Sequence, residues 1–211
     1  GCCLFSHEFS ETRKKKKFKK GYMMQILRSG GPVETAHYLK KLNLLRFGKT
    51  FHDDFFKFYG KSIQVAIVCE DFPEKHNRVT LDKKNKDSSG MPGVKIHYKL
   101  SDNSKKMMAD GIQNAKKLLK TINAKTTFAF GPIKYAGWHL MGTAKMGKNK
   151  KNSVTNENGQ THDIKNLFIV DGSLFPSSSC VNIMSTVQAL SLKITDKIKE
   201  SPQKYLDINE K

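Results

Sequence analysis

The sequence predicts an α+β fold in which helices pack on an antiparallel sheet. Residues 78–81 and 94–100 alternate apolar and polar side chains with a period of two, as half-buried strands do. The segment between them, residues 82–93, is rich in Lys, Asp, Ser and Gly, which is typical of a turn rather than of a crossover helix. A long amphipathic helix follows the second strand and supplies the layer that covers the sheet.

The helices are predicted from apolar residues spaced by three or four. An early helix begins at Gly31-Pro32 and ends at Gly48, because proline favours the first helical position and glycine the end. The long helix begins at Ser101 or Asp102, either of which can cap it. Its apolar stripe consists of Met108, Ile112, Ala115, Leu119 and Ile122. A last helix spans residues 185–199, and its apolar face consists of Val187, Leu190, Ile194 and Ile198.

Further strands are expected where β-branched and aromatic residues cluster, in residues 62–70, 126–130 and 166–170. Within residues 154–164, Asn158-Gly159 lies between alternating flanks, which predicts a hairpin. Asp171-Gly172-Ser173 is expected to turn the chain directly after the last of these strands. Residues 200–211 form a polar tail that is expected to fray.

The charge of the chain is strongly basic, with 38 Lys and Arg against 19 Asp and Glu, for a formal net charge of +19. Only four of the basic residues are Arg, whereas bidentate recognition of guanine or phosphate favours Arg. We therefore interpret the lysines first as surface composition, with no specific nucleic-acid partner. The alternative is a non-enzymatic basic domain that binds polyanions through residues 13–20, with an affinity that falls steeply with salt.

Several classes of protein are excluded by what the sequence lacks. No run approaches the ~18 consecutive apolar residues of a membrane-spanning helix. The four cysteines form no CxxC pair, and the histidines are not spaced as ligands of a metal site. Neither GxGxxG nor GxSxG occurs, so a dinucleotide-binding Rossmann unit and a hydrolase nucleophile elbow are not predicted. The chain starts at Gly1 without a signal peptide, so we expect a cut chain, and the compartment is left open between the cytoplasm and a membrane surface reached through a partner.

His139 differs from the other histidines because it follows the one Trp of the chain and precedes Leu140, Met141 and Gly142. Apolar surroundings disfavour a protonated imidazole, and a neutral imidazole is what a general base needs near neutral pH. Taken alone, a His beside a Trp is also typical of a hydrogen-bonded core residue. The surrounding motifs decide between these two interpretations.

Residues 138–147, WHLMGTAKMG, resemble the H-x-x-G-T-x-x-M-G segment of the glucose–methanol–choline (GMC) flavoprotein oxidoreductases. Three later segments are similar to that family in the same order: the hairpin 154–164, the strand and turn 166–176, and the Asn-to-helix segment 182–190. Residues 77–82 and 87–98 resemble its substrate-domain strands, so the resemblance covers about residues 60–199. The stretch NLFIVDGSLFP looks closest to the gluconate and polyol dehydrogenases.

The resemblance implies an enzyme that oxidises the CH–OH group of an alcohol, polyol or sugar by passing hydride to N5 of FAD. It places His139 as the general base and Asn182 as the second active-site residue, whose amide can bind the substrate oxygen but cannot titrate. The family commonly has Pro after the position of Asn182, where this chain has Ile183. The flavin-binding residues that the resemblance implies are Asp171, Gly172, Asn182, Ile183, Met184 and Thr186. The first two are expected to act through backbone N–H groups, and the last helix would direct its positive end at the reduced flavin.

Because the Rossmann half of the family is missing, the chain is expected to be the C-terminal, substrate-side portion of such an enzyme. It would share FAD with an N-terminal half, in cis or in trans, and would be inactive alone. The chain would then be a fragment, a truncated reading frame or one partner of a split enzyme. A decayed remnant is the remaining alternative. The predicted division is a weakly assigned part at 1–60, a GMC C-terminal domain at 61–199 and the tail at 200–211. The C-terminal strand, turn and helix of the second part are expected to pack against the FAD domain.

Overall fold

The computed structural model describes residues 3–11, 16–28, 30–133 and 137–205. The chain forms two compact units. Unit 1 consists of Gly1–Val68 and Met108–Thr127, and unit 2 consists of Cys69–Met107 and Phe128–Lys211. The α+β class is confirmed, with helices and antiparallel strand pairs in the same chain.

Unit 1 is built on a three-stranded sheet in the order β1 (Cys3–Ser6), β2 (Tyr22–Arg28), β3 (Ile63–Cys69). Strand β1 pairs antiparallel with β2, with Leu4 opposite Ile26. The predicted strand at residues 62–70 is confirmed as β3. Strands β1 and β2 were not predicted, because β1 has only four residues and β2 begins with three consecutive buried side chains instead of an alternating pattern.

The early helix is shorter than predicted. Helix α1 (Pro32–Lys41) begins with Pro at its first position as expected, but it ends before Gly48 because Asn43 adopts a positive φ of 56°. A second helix, α2 (Phe51–Phe56), follows it. Leu45, in the loop between them, packs with Leu39 and Phe55 in the core of this part of unit 1. Leu39 and Leu45 are therefore buried, as apolar residues of this segment are expected to be, but the helix that would join them ends before Asn43.

An ion pair holds the start of α2 against this loop. The Asp54 side chain is 6% exposed. Its carboxylate accepts hydrogen bonds from Arg46 Nε at 2.7 Å and Arg46 Nη2 at 2.9 Å, and from Lys57 Nζ at 3.2 Å. The hydrogen bond from the Arg46 guanidinium is the main reason why the pKa of Asp54 lies well below its usual range.

Replacing Asp54 with Asn is expected to reduce the acid sensitivity of the chain. The pKa of Asp54 is lower when folded than the ~3.9 of an unfolded Asp, so its stabilising effect is complete above about pH 4 and is lost as the pH falls through the folded-state pKa. The Tm should therefore fall less between about pH 5 and pH 2 in D54N than in the native chain. The exposed neighbour provides the control D53N, and equal losses in D54N and the native chain would contradict the role of the ion pair.

Part of the basic run at residues 13–20 is used inside unit 1. Residues 13–15 lie outside the described residues. Lys16 Nζ lies 2.5 Å from Asp110 Oδ1, and the same carboxylate accepts a hydrogen bond from the Tyr22 hydroxyl at 2.8 Å. At least one cation of the run therefore has a partner within its own chain.

The long helix is confirmed as α3 (Asp102–Thr121). Ser101 caps it, because the Ser101 hydroxyl accepts a hydrogen bond from the Ser104 amide at 3.1 Å. The apolar stripe differs from the prediction at both ends. Met107 is fully buried beside the predicted Met108, whereas Ile122 follows the helix and is 57% exposed.

Unit 2 contains the predicted antiparallel strand pair, β4 (Arg78–Lys86) and β5 (Pro92–His97). Strand β4 extends five residues further than predicted, and the turn is confined to residues 87–91. The Asp87 carboxylate shortens the turn by accepting hydrogen bonds from the amides of Ser89 and Met91. The strands form two separate sheets rather than one meander, because β3 belongs to the sheet of unit 1.

The C-terminal part of unit 2 is mostly irregular up to its helix. The predicted strand at 126–130 is wrong, since these residues have no regular structure and are exposed. The predicted strand at 166–170 is reduced to one bridge, between Phe168 and Gln160. Helix α4 (Met184–Glu200) confirms the predicted last helix.

The start of the tail does not fray as expected. Residues 202–205 form the short helix α5 (Pro202–Tyr205), and Tyr205 is 8% exposed. Its ring packs edge to face on Phe168, with 6.2 Å between the ring centroids. The segment is therefore held by the packing of one large aromatic side chain. Across the described part of the chain, no helix is long and apolar enough to span a membrane.

Candidate active site

The segment that follows His139 runs beside the turn that contains Asp171 and Gly172. The Ala144 amide donates to the Ser173 carbonyl at 3.1 Å, and the Met146 amide donates to the Leu174 carbonyl at 2.8 Å. Gly172 lies against the carbonyl of Leu140, since a Cβ added at Gly172 would be only 3.1 Å from that oxygen. Two motifs that are about thirty residues apart in sequence are thereby brought into contact.

The predicted hairpin at residues 154–164 packs beside the His139 segment. The Val154 amide donates to the Lys145 carbonyl at 3.0 Å, which ties the hairpin to the His139 segment. Thr155 and Thr161 form an antiparallel bridge, and Gly159 turns the chain between them with a φ of +70°. The turn is as predicted, but the flanks form isolated bridges instead of strands.

Helix α4 is anchored on the same segments. Ile194 is 1% exposed, and its Cδ1 lies against the backbone of Gly159. The hydroxyl of Ser191 donates a hydrogen bond to the carbonyl of Val170, the residue before Asp171. The helix and the turn are therefore held in one arrangement within unit 2.

Asp171 uses its carboxylate inside its own turn. Oδ1 accepts hydrogen bonds from the Ser173 amide at 2.8 Å and from the Ser173 hydroxyl at 2.6 Å, and these bonds lower the pKa of Asp171. The turn continues as a 3-10 helix over Gly172–Leu174, with Asp171 as its N-cap. The turn predicted at Asp171-Gly172-Ser173 is therefore confirmed, and it is an Asx turn closed by Ser173.

His139 is half-buried, but its neighbours do not exclude water as expected. Trp138 is 82% exposed and Leu140 is 76% exposed. The two apolar side chains next to His139 in sequence therefore do not cover it within the described residues, and the apolar environment of its imidazole stays a prediction. The sequence shows that the neighbours are apolar, whereas their burial depends on what packs over them.

The other predicted site residues lie at the start of α4. Ile183 is the N-cap and is 6% exposed, whereas Asn182, Met184 and Thr186 are exposed. The hydrogen bonds above join the His139 segment to the Asp171 turn and join α4 to Val170, directly before that turn. Asn182 is placed by its position in the chain, two residues before the helix.

Two features of this region suit an anionic ligand. The N-cap of α4 is Ile183, which has no side-chain oxygen to bind the first-turn amides at the positive end of the helix. The buried hydroxyl oxygen of Ser179 has no hydrogen-bond partner among the residues that the structure describes. A phosphate or a reduced flavin ring needs such donors, so the residues present fit a bound flavin nucleotide.

Comparison with known proteins identifies the family. Residues 73–191 match a family model described as GMC oxidoreductase. The chain is 37% identical over 199 residues to 2-methyl-1,2-propanediol dehydrogenase of Mycolicibacterium austroafricanum, a match that covers 94% of the chain and 36% of that protein. It is 28% identical over 160 residues to the fructose dehydrogenase large subunit of Gluconobacter japonicus, covering 76% and 29%.

A third relative, the gluconate 2-dehydrogenase flavoprotein of Pantoea cypripedii, is 26% identical over 132 residues, covering 59% of the chain and 22% of that protein. The chain thus spans about a third or less of the length of these relatives. The family model covers more than half of the chain, and the resemblance found in the sequence is confirmed. The chain belongs to the GMC oxidoreductase family.

Proposed function

We propose that this chain is the substrate-side, C-terminal portion of a flavin-dependent oxidoreductase that oxidises the CH–OH group of an alcohol, polyol or sugar. The observation that carries the proposal is the pair of backbone hydrogen bonds, from Ala144 to Ser173 and from Met146 to Leu174, which holds the His139 segment beside the Asp171 turn. The relatives are named for a diol, fructose and gluconate, so substrates with hydroxyl groups are the class to test first.

The proposed chemistry assigns two roles to residues of this chain. His139 accepts the hydroxyl proton of the substrate on a ring nitrogen while the carbinol carbon loses hydride. Asn182 donates an amide hydrogen bond to the substrate oxygen and keeps it oriented toward His139. Asn cannot titrate, so the single proton-accepting group of this pair is His139.

FAD, when bound, supplies the acceptor for the hydride. The residues proposed to hold it are Asp171, Gly172, Asn182, Ile183, Met184 and Thr186. The first two act through their backbone N–H groups, since a carboxylate cannot hold a phosphate through its own charge, and Oδ1 of Asp171 already binds Ser173. The first turn of α4 contributes its amides, and its positive end favours a reduced, anionic ring.

The proposed partner is an N-terminal flavin-binding half, in cis or in trans. One face of the β4–β5 pair supports it: Val79 lies opposite Ile96 and Leu81 lies opposite Val94. All four are between 49% and 71% exposed, and a two-stranded ribbon needs a further layer to be stable. Trp138, beside His139, is exposed as well.

The division into parts at 1–60, 61–199 and 200–211 stays a prediction.

The proposal is tested by supplying the proposed missing half. The chain is expressed alone and joined to the remainder of the 2-methyl-1,2-propanediol dehydrogenase, with that relative's own matching segment in the same fusion as the control. We expect the chain alone to retain no FAD and to reduce no dye with alcohols, and the joined protein to do both. Flavin binding and turnover by the chain alone, or a flavin-loaded fusion without activity on any alcohol, polyol or sugar, would contradict the proposal.

A further inference from the structure

We propose that Asp71 is a positioning residue that holds the loop containing Asn182, an inference that rests on the role proposed for Asn182. This loop, residues 175–183, connects the 3-10 helix after Asp171 to α4. Asp71 lies far from it in sequence, two residues after β3. Its carboxylate is bound by Ser104 and Tyr98, and its backbone carbonyl is bound by Ser178 of the loop.

The carboxylate of Asp71 joins two elements of unit 2. Oδ1 accepts a hydrogen bond from the Ser104 hydroxyl at 2.5 Å, and Oδ2 accepts one from the Tyr98 hydroxyl at 2.6 Å. Ser104 is 2% exposed in the first turn of α3, and Tyr98 directly follows β5. Burial and the contact with Asp71 raise the pKa of Tyr98. Two hydrogen bonds from two different elements therefore hold the side chain of Asp71.

The backbone carbonyl of Asp71 continues this connection to the loop. It accepts a hydrogen bond from the Ser178 hydroxyl at 2.8 Å. Four residues later comes Asn182, exposed between two buried residues, Cys180 at 4% and Ile183 at 6%. The loop is thus attached through the hydrogen bond of Ser178 and the burial of Cys180 and Ile183, and Asn182 lies exposed between the last two.

The attachment of this loop matters because the amide hydrogen bond proposed for Asn182 depends on the direction in which the amide points. A hydrogen bond weakens steeply when its angle departs from linearity, and small misplacements of an orienting group can cost large factors in rate. Loss of the Ser178 hydroxyl removes the hydrogen bond between this loop and Asp71 while leaving both carboxylate bonds of Asp71 intact. It should therefore loosen the loop without unfolding unit 2.

The first test uses hydrogen exchange on the chain as it stands and needs no flavin. The variant is Ser178→Ala, and the matched control is Ser177→Ala, which changes an exposed neighbouring serine. We expect amides of residues 179–183 to exchange about fivefold faster in S178A than in S177A, the effect of losing one ordinary hydrogen bond. Asp71→Ala should accelerate the same amides at least as much. Equal exchange in S178A and S177A would overturn the inference.

The second test uses the flavin-loaded protein and a double-mutant cycle. Ser178→Ala is expected to lower kcat by about tenfold with unchanged flavin content. In the Asn182→Ala background the same change should cost nothing further, because its effect acts through Asn182. Full additivity of the two losses would overturn the positioning role. A protein that takes up no flavin or oxidises no alcohol would instead contradict the proposed function. The hydrogen-exchange result would still show whether the bond from Ser178 to Asp71 holds the loop.

Discussion

Replacing His139 with Ala in the flavin-loaded protein is expected to slow alcohol oxidation by about 10²–10⁴-fold, the contribution of a positioned general base. The alcohol proton must leave as hydride departs, and without the imidazole only water can accept it. The segment of His139 is held to the Asp171 turn by backbone hydrogen bonds, which the substitution leaves in place. The rate to measure is that of flavin reduction in a single turnover, since it isolates the chemical step from product release.

The control for this prediction is His76→Ala, which changes an exposed histidine in the turn before β4. It should leave the rate and the flavin content unchanged. A loss of less than tenfold in H139A at unchanged flavin content would remove His139 from the role of base. Trp138 and Leu140 are exposed in this chain, and we propose that the N-terminal half covers them, so the comparison belongs in the complete protein.

Replacing Gly159 with Ala is expected to destabilise unit 2 by about 2–4 kcal/mol, combining a left-handed backbone with overpacking. Gly159 has a φ of +70°, which side chains rarely adopt. A Cβ there would lie 2.5 Å from the Ile169 carbonyl oxygen and 2.9 Å from Ile194 Cδ1. Neither can retreat easily, because the Ile169 amide bonds back to Gly159 and Ile194 is 1% exposed. Urea unfolding of the chain measures the effect.

The matched control is Gly90→Ala, in the turn between β4 and β5. Gly90 has a φ of +81°, but nothing lies within 4 Å of an added Cβ. Only the cost of the left-handed backbone applies there, about 1–2 kcal/mol. If G159A were no more destabilising than G90A, the close approach of Ile169 and α4 to Gly159 would be contradicted.

The elements that could be predicted from the sequence are those whose signal is local. Helices α3 and α4 were predicted from apolar spacing, α3 also from its cap, and β3 from its β-branched run. Strand β2 was missed because its first residues are buried together, which removes the alternation that marks a strand. The early helix was predicted too long because its apolar spacing continues past Asn43, where the backbone turns.

The sequence by itself determined the family and the order of the motifs around His139, Asp171 and Asn182, since these depend on residue identity along the chain. Only the tertiary structure decided that the His139 segment and the Asp171 turn lie side by side, that Ser173 occupies the Asp171 carboxylate, and that Asp71 tethers the loop before Asn182. It also decided that Trp138 is exposed. The physical reason is that periodicity reports the shape of one segment, whereas contact and burial depend on which distant segment packs against it.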